Sequence, residues 1–125
     1  MIVQIIGLPC SGKTTLIKQY IESNKNINYI DIANYSTEGK YNHCIMEAKK
    51  SSTNTIVESA CGLAIRNSIV VLYKQPINLI YSRHKIRGEI LDEDYLSLLT
   101  TQMLKPNFTV NTQQGFNSTL DLLFY

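Results

Sequence analysis

The sequence lacks several features that would assign it to other protein classes. No apolar run approaches the roughly 20 residues of a membrane-spanning helix, so we expect no membrane partner. Cys10, Cys44 and Cys61 form neither a C-x-x-C pair nor any spacing typical of a zinc site. We therefore expect free thiols in a reducing cytoplasm. We also expect no secretory signal, because the first strand begins at Ile2 and belongs to the core.

Composition sets few further limits. The chain has 125 residues, 44% hydrophobic and 18% charged, which predicts one folded domain over residues 1–125. A net charge of +2 is too small to argue by itself for a nucleic-acid or membrane partner. Arginine is scarce, because the chain contains only Arg66, Arg83 and Arg87. Few positions can therefore offer the planar, bidentate grip that phosphate groups favour.

The most specific motif lies near the N-terminus. Residues 7–14 read GLPCSGKT and match the P-loop pattern G-x-x-x-x-G-K-[ST] at every fixed position. An apolar, β-prone run at residues 2–6 precedes the motif, and apolar residues at helical spacing follow it. A strand, this loop and a helix form the context in which the motif binds a nucleoside triphosphate.

The residue types of the loop suit that chemistry. Gly7 and Gly12 allow backbone angles that turn successive N–H groups inward, and the following helix adds its positive end. We expect Lys13 to reach the β- and γ-phosphates and the Thr14 hydroxyl to ligate Mg²⁺. The predicted cofactors are ATP and Mg²⁺. The residues predicted to bind the nucleotide are Gly7, Leu8, Pro9, Cys10, Ser11, Gly12, Lys13, Thr14 and Thr15.

Strands and helices alternate along the rest of the chain. After the first helix, the apolar pattern predicts strands at residues 27–32, 55–58, 68–73 and 108–110. Helices are predicted at residues 41–50, 77–87, 92–103 and 118–125, with a loop at 34–39 and a loop or short helix at 59–66.

This alternation predicts an α/β fold: a P-loop NTPase three-layer sandwich with a five-stranded parallel sheet. Ligands of such sheets bind at the carboxyl ends of the strands. The P-loop, Asp31, Glu58 and the segment after Tyr73 should therefore lie on one rim.

With these elements in order, the chain resembles the small-molecule kinases of the P-loop class. These include nucleoside and nucleotide kinases, shikimate- and gluconate-type kinases, and polynucleotide kinase. Besides the P-loop, the resemblance depends on the order and spacing of YID at 29–31, IVES at 56–59, LYKQP at 72–76, and Arg83 with Arg87. It implies transfer of the γ-phosphoryl group of ATP to a hydroxyl.

Two carboxylates at strand ends are candidate catalytic residues. The resemblance implies that Asp31 accepts or orients the proton of the attacking hydroxyl. The alternative is an aspartate that caps the next turn. Glu58 stands at the Walker B position, where a carboxylate holds Mg²⁺, and Glu58-Ser59 also resembles an element of deoxynucleoside kinases whose arginine is missing. Glu58 is thus the metal carboxylate, the base, or a solvated strand-end residue.

Two of the three arginines are candidates for binding the phosphates. Arg83 and Arg87 are four residues apart, on one face of the predicted helix after the fourth strand. In the kinase class this helix leads into a lid whose arginines clamp the phosphates and neutralise charge in the transition state. The alternative is a solvated basic face that also includes Lys85.

The absence of arginine from one segment predicts the chemical type of the acceptor. Residues 32–57 contain no arginine, which favours a hydroxyl acceptor over a nucleoside monophosphate, although Arg66 leaves the monophosphate open. The hydroxyl could belong to a nucleoside, another small alcohol, a nucleotide or DNA.

Two further functions compete with the kinase interpretation. A GTPase is set aside, because its D-x-x-G and N-K-x-D elements are missing. A non-catalytic nucleotide-binding module remains an alternative. Tyr29, Tyr35 and Tyr41 either stack on a base or pack, and His43, Cys44 and His84 are interpreted as structural.

Overall fold

The computed structural model describes residues 1–24, 26–35, 39–89 and 92–125. These residues form five strands and five helices, with a short 3-10 turn after the second strand. The strands are β1 (Ile2–Ile6), β2 (Asn28–Asp31), β3 (Thr55–Ser59), β4 (Ser68–Tyr73) and β5 (Phe108–Val110). The helices are α1 (Lys13–Ser23), α2 (Lys40–Lys50), α3 (Ile77–Ile86), α4 (Glu93–Gln102) and α5 (Gln113–Phe124).

The strands form one parallel sheet in the order β2-β3-β1-β4-β5. β1 lies at the centre, where Ile5 is opposite Glu58 on one side and Val71 on the other. Asp31 is opposite Glu58 on the far side of β3. Because all strands run the same way, the carboxyl ends of β1, β2, β3 and β4 lie on one rim, as predicted.

Side chains alternate between two apolar layers. Val3, Ile5 and Ile56 are fully buried on the face covered by α1 and α5, together with Phe116 and Leu120 of α5. The other face packs Ile30 and Val57 against Cys44 and Ala48 of α2. A third cluster, Ile80, Leu96 and Leu99 of α3 and α4, packs on the segments that follow β1 and β3. The predicted three-layer α/β sandwich is confirmed.

A buried glutamine fixes the crossing from β3 to β4. The Gln4 side chain in β1 donates from Nε2 to the Leu63 carbonyl at 2.9 Å and to Ser68 Oγ at 2.8 Å. Its Oε1 accepts from the Leu63 N–H at 2.8 Å. This bonded amide ties the segment after β3 to β1, and residues 60–67 contain no helix, in agreement with the loop alternative of the prediction.

One predicted helix begins earlier in the structure, and parts of two other predicted segments lie outside the described residues. The last helix starts at Gln113 rather than at residue 118, because Thr112 accepts from the Gly115 N–H as a cap. Burial of Phe116 outweighs the poor helix propensity of Gly115. The short lid stays a prediction. Residues 90 and 91, between α3 and α4, and residues 36–38 of the predicted loop at 34–39 lie outside the described residues.

In the described parts of the chain, no helix combines the length and apolar character needed to cross a bilayer.

Candidate active site

The P-loop joins the end of β1 to the start of α1 through a closely packed turn. A Cβ on Gly7 would lie 2.8 Å from the Tyr73 carbonyl oxygen, so only glycine fits against the end of β4. Gly12 has a φ of 92°, and Cys10 adopts the left-handed region with a φ of 65°. The Gly7 N–H donates to the Ala60 carbonyl at 3.2 Å, which ties the loop to the segment after β3.

The start of α1 presents unbonded donors to the rim. Gly12 occupies the cap position and, within the described structure, no side chain caps the helix. The first-turn N–H groups of α1 therefore remain available for an anion, and the helix dipole adds positive potential there. Ser11 has a buried Oγ with no hydrogen-bond partner among the described residues. These features fit the phosphate groups that the sequence motif predicts.

Lys13 is a buried cation at this position. Its side chain is 9% exposed, and Nζ donates to the Leu8 carbonyl at the long distance of 3.4 Å. Burial lowers the Lys13 pKa, while the charges of Glu58 and Asp31 oppose that shift. A phosphate would give this ammonium group a closer partner than the one carbonyl it now contacts.

Glu58 and Thr14, both predicted metal ligands, are in direct contact. The Thr14 hydroxyl donates to Oε2 of Glu58, and the Tyr29 hydroxyl donates to Oε1. Glu58 is 4% exposed, so the two hydrogen bonds satisfy a carboxylate that is otherwise withdrawn from water. Burial and the bond to Glu58 raise the pKa of Tyr29, which therefore stays a neutral donor. The oxygens of Thr14 and Glu58 are the donor type that Mg²⁺ prefers.

The sequence suggested that Tyr29 stacks on a base or packs. The packing agrees with its half-buried ring, but the contact of its hydroxyl with Glu58 was missed. Strand alternation contained the signal, because Tyr29 stands two residues before Asp31 and hence on the same face. Its half-buried ring packs beside α1, and its hydroxyl orients Glu58.

Asp31 ends β2 at the same rim, beside Glu58 in the strand register. Its Oδ1 accepts from the Ala33 N–H at 3.0 Å and so caps the 3-10 turn. The cap uses one of two carboxylate oxygens, and the side chain is only partly buried. The turn-capping interpretation and a role toward a substrate are therefore compatible.

The structure separates the three arginines. Arg83 of α3 donates from Nη1 to the Cys10 carbonyl at 2.9 Å, and a Cβ on Gly12 would meet Nη1 at 3.1 Å. Arg87 is exposed at the end of α3, one turn farther along. Arg66 is exposed just before β4 begins, on the amino-terminal rim. A strand's length, about 20 Å, separates that rim from the P-loop.

An apolar cleft of about 350 Å³ opens beside the P-loop. Leu8 and Ser11 line one wall, and Pro76 and Ile80 at the start of α3 line another. Ser11 places its partnerless hydroxyl in this region. The sequence did not predict the cleft, since its walls come from three separate segments of the chain.

Comparison with protein-family models and with curated proteins gives no match for this sequence. Solved structures do match. A gluconokinase from Sinorhizobium meliloti has a TM-score of 0.73 at 12% identity, over 98% of this chain and 92% of that one. A sugar kinase from Janibacter sp. has a TM-score of 0.67 at 12% identity, over 98% and 92%. A shikimate kinase from Aquifex aeolicus has 0.63 at 14% identity, over 98% and 95%. Together with the sheet order and the P-loop, these likenesses show that the chain has the fold of the P-loop kinases.

Proposed function

We propose that this chain is an ATP- and Mg²⁺-dependent kinase that phosphorylates a hydroxyl of a small molecule. The contact between Thr14 and Glu58 carries the proposal, because it joins the last residue of the P-loop motif to a strand-end carboxylate. Lys13 and the unbonded amides of α1 would hold the triphosphate, and Thr14 with Glu58 would hold the metal. Bound ATP would supply the phosphoryl group, and Mg²⁺ would offset its charge.

Asp31 is the better candidate for the base. Both oxygens of Glu58 accept hydrogen bonds inside the protein, and the residue is almost fully buried. Asp31 is partly buried and uses one oxygen in its turn. A partly exposed carboxylate at the rim is suited to orient a hydroxyl and to take its proton.

Arg83 would act on the transferred group. Its Nη1 already donates to the backbone of the P-loop, and its planar guanidinium has further N–H donors for a phosphate oxygen. Arg87 is exposed at the end of α3, one turn away from that contact. The two residues thus have different expected contributions, although the sequence places both on one helix face.

The acceptor is proposed to be an uncharged hydroxyl rather than a phosphate. Arg66 was the only arginine outside α3 that could have held an acceptor phosphate, and it lies on the opposite rim. The structural neighbours are named as kinases of gluconate, shikimate and sugars, which agrees with a small alcohol. No observation favours a nucleic-acid acceptor over these.

The test is a transfer assay with γ-labelled ATP and a pool of sugars, sugar acids, nucleosides, nucleoside monophosphates and 5′-hydroxyl DNA. We expect label in a small phosphorylated alcohol, and none with Lys13→Ala. Dominant labelling of a nucleoside diphosphate or of DNA would contradict the acceptor class. ATP binding without transfer to any acceptor would instead indicate a non-catalytic module.

A further inference from the structure

Three side chains with metal-binding atoms meet on the side of the P-loop that faces α3. The Cys10 thiol, a ring nitrogen of His84 and a carboxylate oxygen of Glu89 all lie within 4.8 Å of one another. Cys10 belongs to the P-loop, His84 to α3, and Glu89 to the turn after α3. The proposed phosphoryl transfer uses none of these three side chains.

His84 is the central residue of the group. It is 9% exposed, and neither ring nitrogen makes a directed hydrogen bond to any residue that the structure describes. Nδ1 does lie 2.9 Å from Oε2 of Glu89, a separation that would suit an ion pair if the imidazole were protonated. Nε2 has no hydrogen-bond partner among the described residues. A buried imidazole without directed partners is destabilising, and a bound ion would supply the missing interaction.

The backbone turn after α3 brings Glu89 back beside His84. Gly88 has a φ of 72°, a conformation that favours glycine. Its N–H donates to the Lys85 carbonyl at 3.1 Å, and the Glu89 N–H donates to the His84 carbonyl at 3.1 Å. These two bonds form a Schellman motif, which reverses the chain after α3 and places the Glu89 carboxylate against the imidazole.

We propose that Cys10, His84 and Glu89 bind a divalent transition metal of the zinc class. Thiolate, imidazole and carboxylate are the three zinc ligand types in proteins, and a water would complete a tetrahedron. Zinc bonds of about 2.0–2.3 Å place tetrahedral ligand atoms roughly 3.5 Å apart, so the three atoms would have to close from separations of up to 4.8 Å. The thiolate and carboxylate also bring two negative charges to one divalent cation. A sulfur ligand disfavours Mg²⁺, so the site is distinct from Thr14 and Glu58.

Metal at this position would fasten α3 to the P-loop. Arg83, next to His84 on the helix, already donates to the Cys10 carbonyl. The metal would add a bond to the Cys10 side chain, at a residue whose left-handed backbone conformation is costly. The folded state of the full chain should therefore be stabilised by the ion.

The experiment uses the tag-free full chain, reduced and stripped of metal, and no nucleotide. Titration with Co²⁺ should produce one equivalent of a near-ultraviolet sulfur-to-cobalt absorption band, which Zn²⁺ then displaces. Cys10→Ser should abolish the band. The matched control Cys61→Ser should keep it, because Cys61 instead donates its thiol hydrogen to the Leu99 carbonyl at 3.3 Å. His84→Gln and Glu89→Gln should weaken binding about 10-fold or more.

Folding is checked separately, because Cys10 and His84 are packed. Glu89→Gln changes a half-exposed side chain and should fold normally, yet Zn²⁺ should raise its Tm less than that of the wild type. Absence of the cobalt band in the wild type, its persistence in Cys10→Ser, or unchanged affinity in Glu89→Gln would each overturn the site. None of these readouts depends on kinase activity.

Discussion

The Thr14 hydroxyl donates a hydrogen bond to Glu58 across a separation of 44 residues in the sequence. Both groups stand at the carboxyl rim of the sheet, one at the start of α1 and the other at the end of β3. Tyr29 holds the second oxygen of the same carboxylate. The candidate metal carboxylate is therefore oriented by two hydroxyls, and only one of them belongs to the P-loop.

Glu58→Gln tests the metal role. The amide keeps the shape but loses the negative charge that would hold Mg²⁺, so turnover should fall by about 10²-fold or more. The Mg²⁺ concentration for half-maximal rate should rise, as measured in a magnesium titration of the transfer reaction. Tyr29→Phe is the matched control, because it removes the other hydrogen bond and keeps the charge. A larger loss in Tyr29→Phe than in Glu58→Gln would contradict the assignment.

Lys13→Met separates function from stability. The apolar side chain fills a similar volume and removes a buried charge, but the buried Glu58 carboxylate loses its nearby cation. These effects oppose each other, so the free energy of unfolding should change little. Transfer should be abolished, because the charge that would contact the phosphates is lost. The measurements are urea unfolding and the labelled-ATP assay. Lys18→Met, an exposed change in the same helix, should alter neither. Retained activity in Lys13→Met would remove the basis of the kinase proposal.

Asp31→Asn tests the base while preserving the turn. The amide oxygen can still accept from the Ala33 N–H, so stability should change little. Turnover should fall by about 10²-fold with ATP affinity nearly unchanged, because only proton removal is impaired. Asp31→Ala should lose the same activity and also about 1 kcal/mol of stability. If Asp31→Asn keeps full turnover, the carboxylate serves only as a cap.

Arg83→Ala and Arg87→Ala should differ in severity. Arg83 contacts the P-loop backbone, so its removal should lower turnover by about 10³-fold. Arg87 is exposed, and its loss should cost less. Lys85→Ala, an exposed cation between them, serves as the control in steady-state kinetics. Equal losses in all three variants would show that the helix contributes only a diffuse positive field.

Tyr20 should make the protein sensitive to alkali. Burial and the hydrogen bond to Asp121, 2.8 Å long, raise the pKa of Tyr20 above its ordinary value of 10.0. The unfolded chain releases this proton first, so the free energy of unfolding should decrease as the pH rises above 10. Tyr20→Phe should be less stable by about 1 kcal/mol at neutral pH. The measurement is denaturant unfolding of both proteins from pH 8 upward. The difference in free energy of unfolding between the wild type and Tyr20→Phe should shrink above pH 10, and a constant difference would contradict the linkage.

The fold could be predicted in detail because its signals are local. The predicted bounds of β4 and β5 matched the structure residue for residue. For β4 the reason is that a strand of a parallel sheet covered on both faces reads as a continuous apolar segment. β5 is a largely exposed edge strand, and its signal was a short run of β-prone residues after Pro106. The start of α5 could not be predicted, because burial of Phe116 against Tyr20 and Tyr73 outweighed the local preference of Gly115.

By itself, the sequence determined the P-loop and the set of residues at the sheet rim. The P-loop is formed by consecutive backbone N–H groups, and the end of each strand can be read from a contiguous run of residues. Only the tertiary structure decided which side chains meet there. Strand register joined Glu58 to Tyr29, and the seating of α3 brought Arg83 to Cys10 while Arg87 stayed in solvent. The same helix placed His84 beside Cys10, far away in the sequence. Spacing cannot reveal such pairs, because packing of whole elements sets their distances.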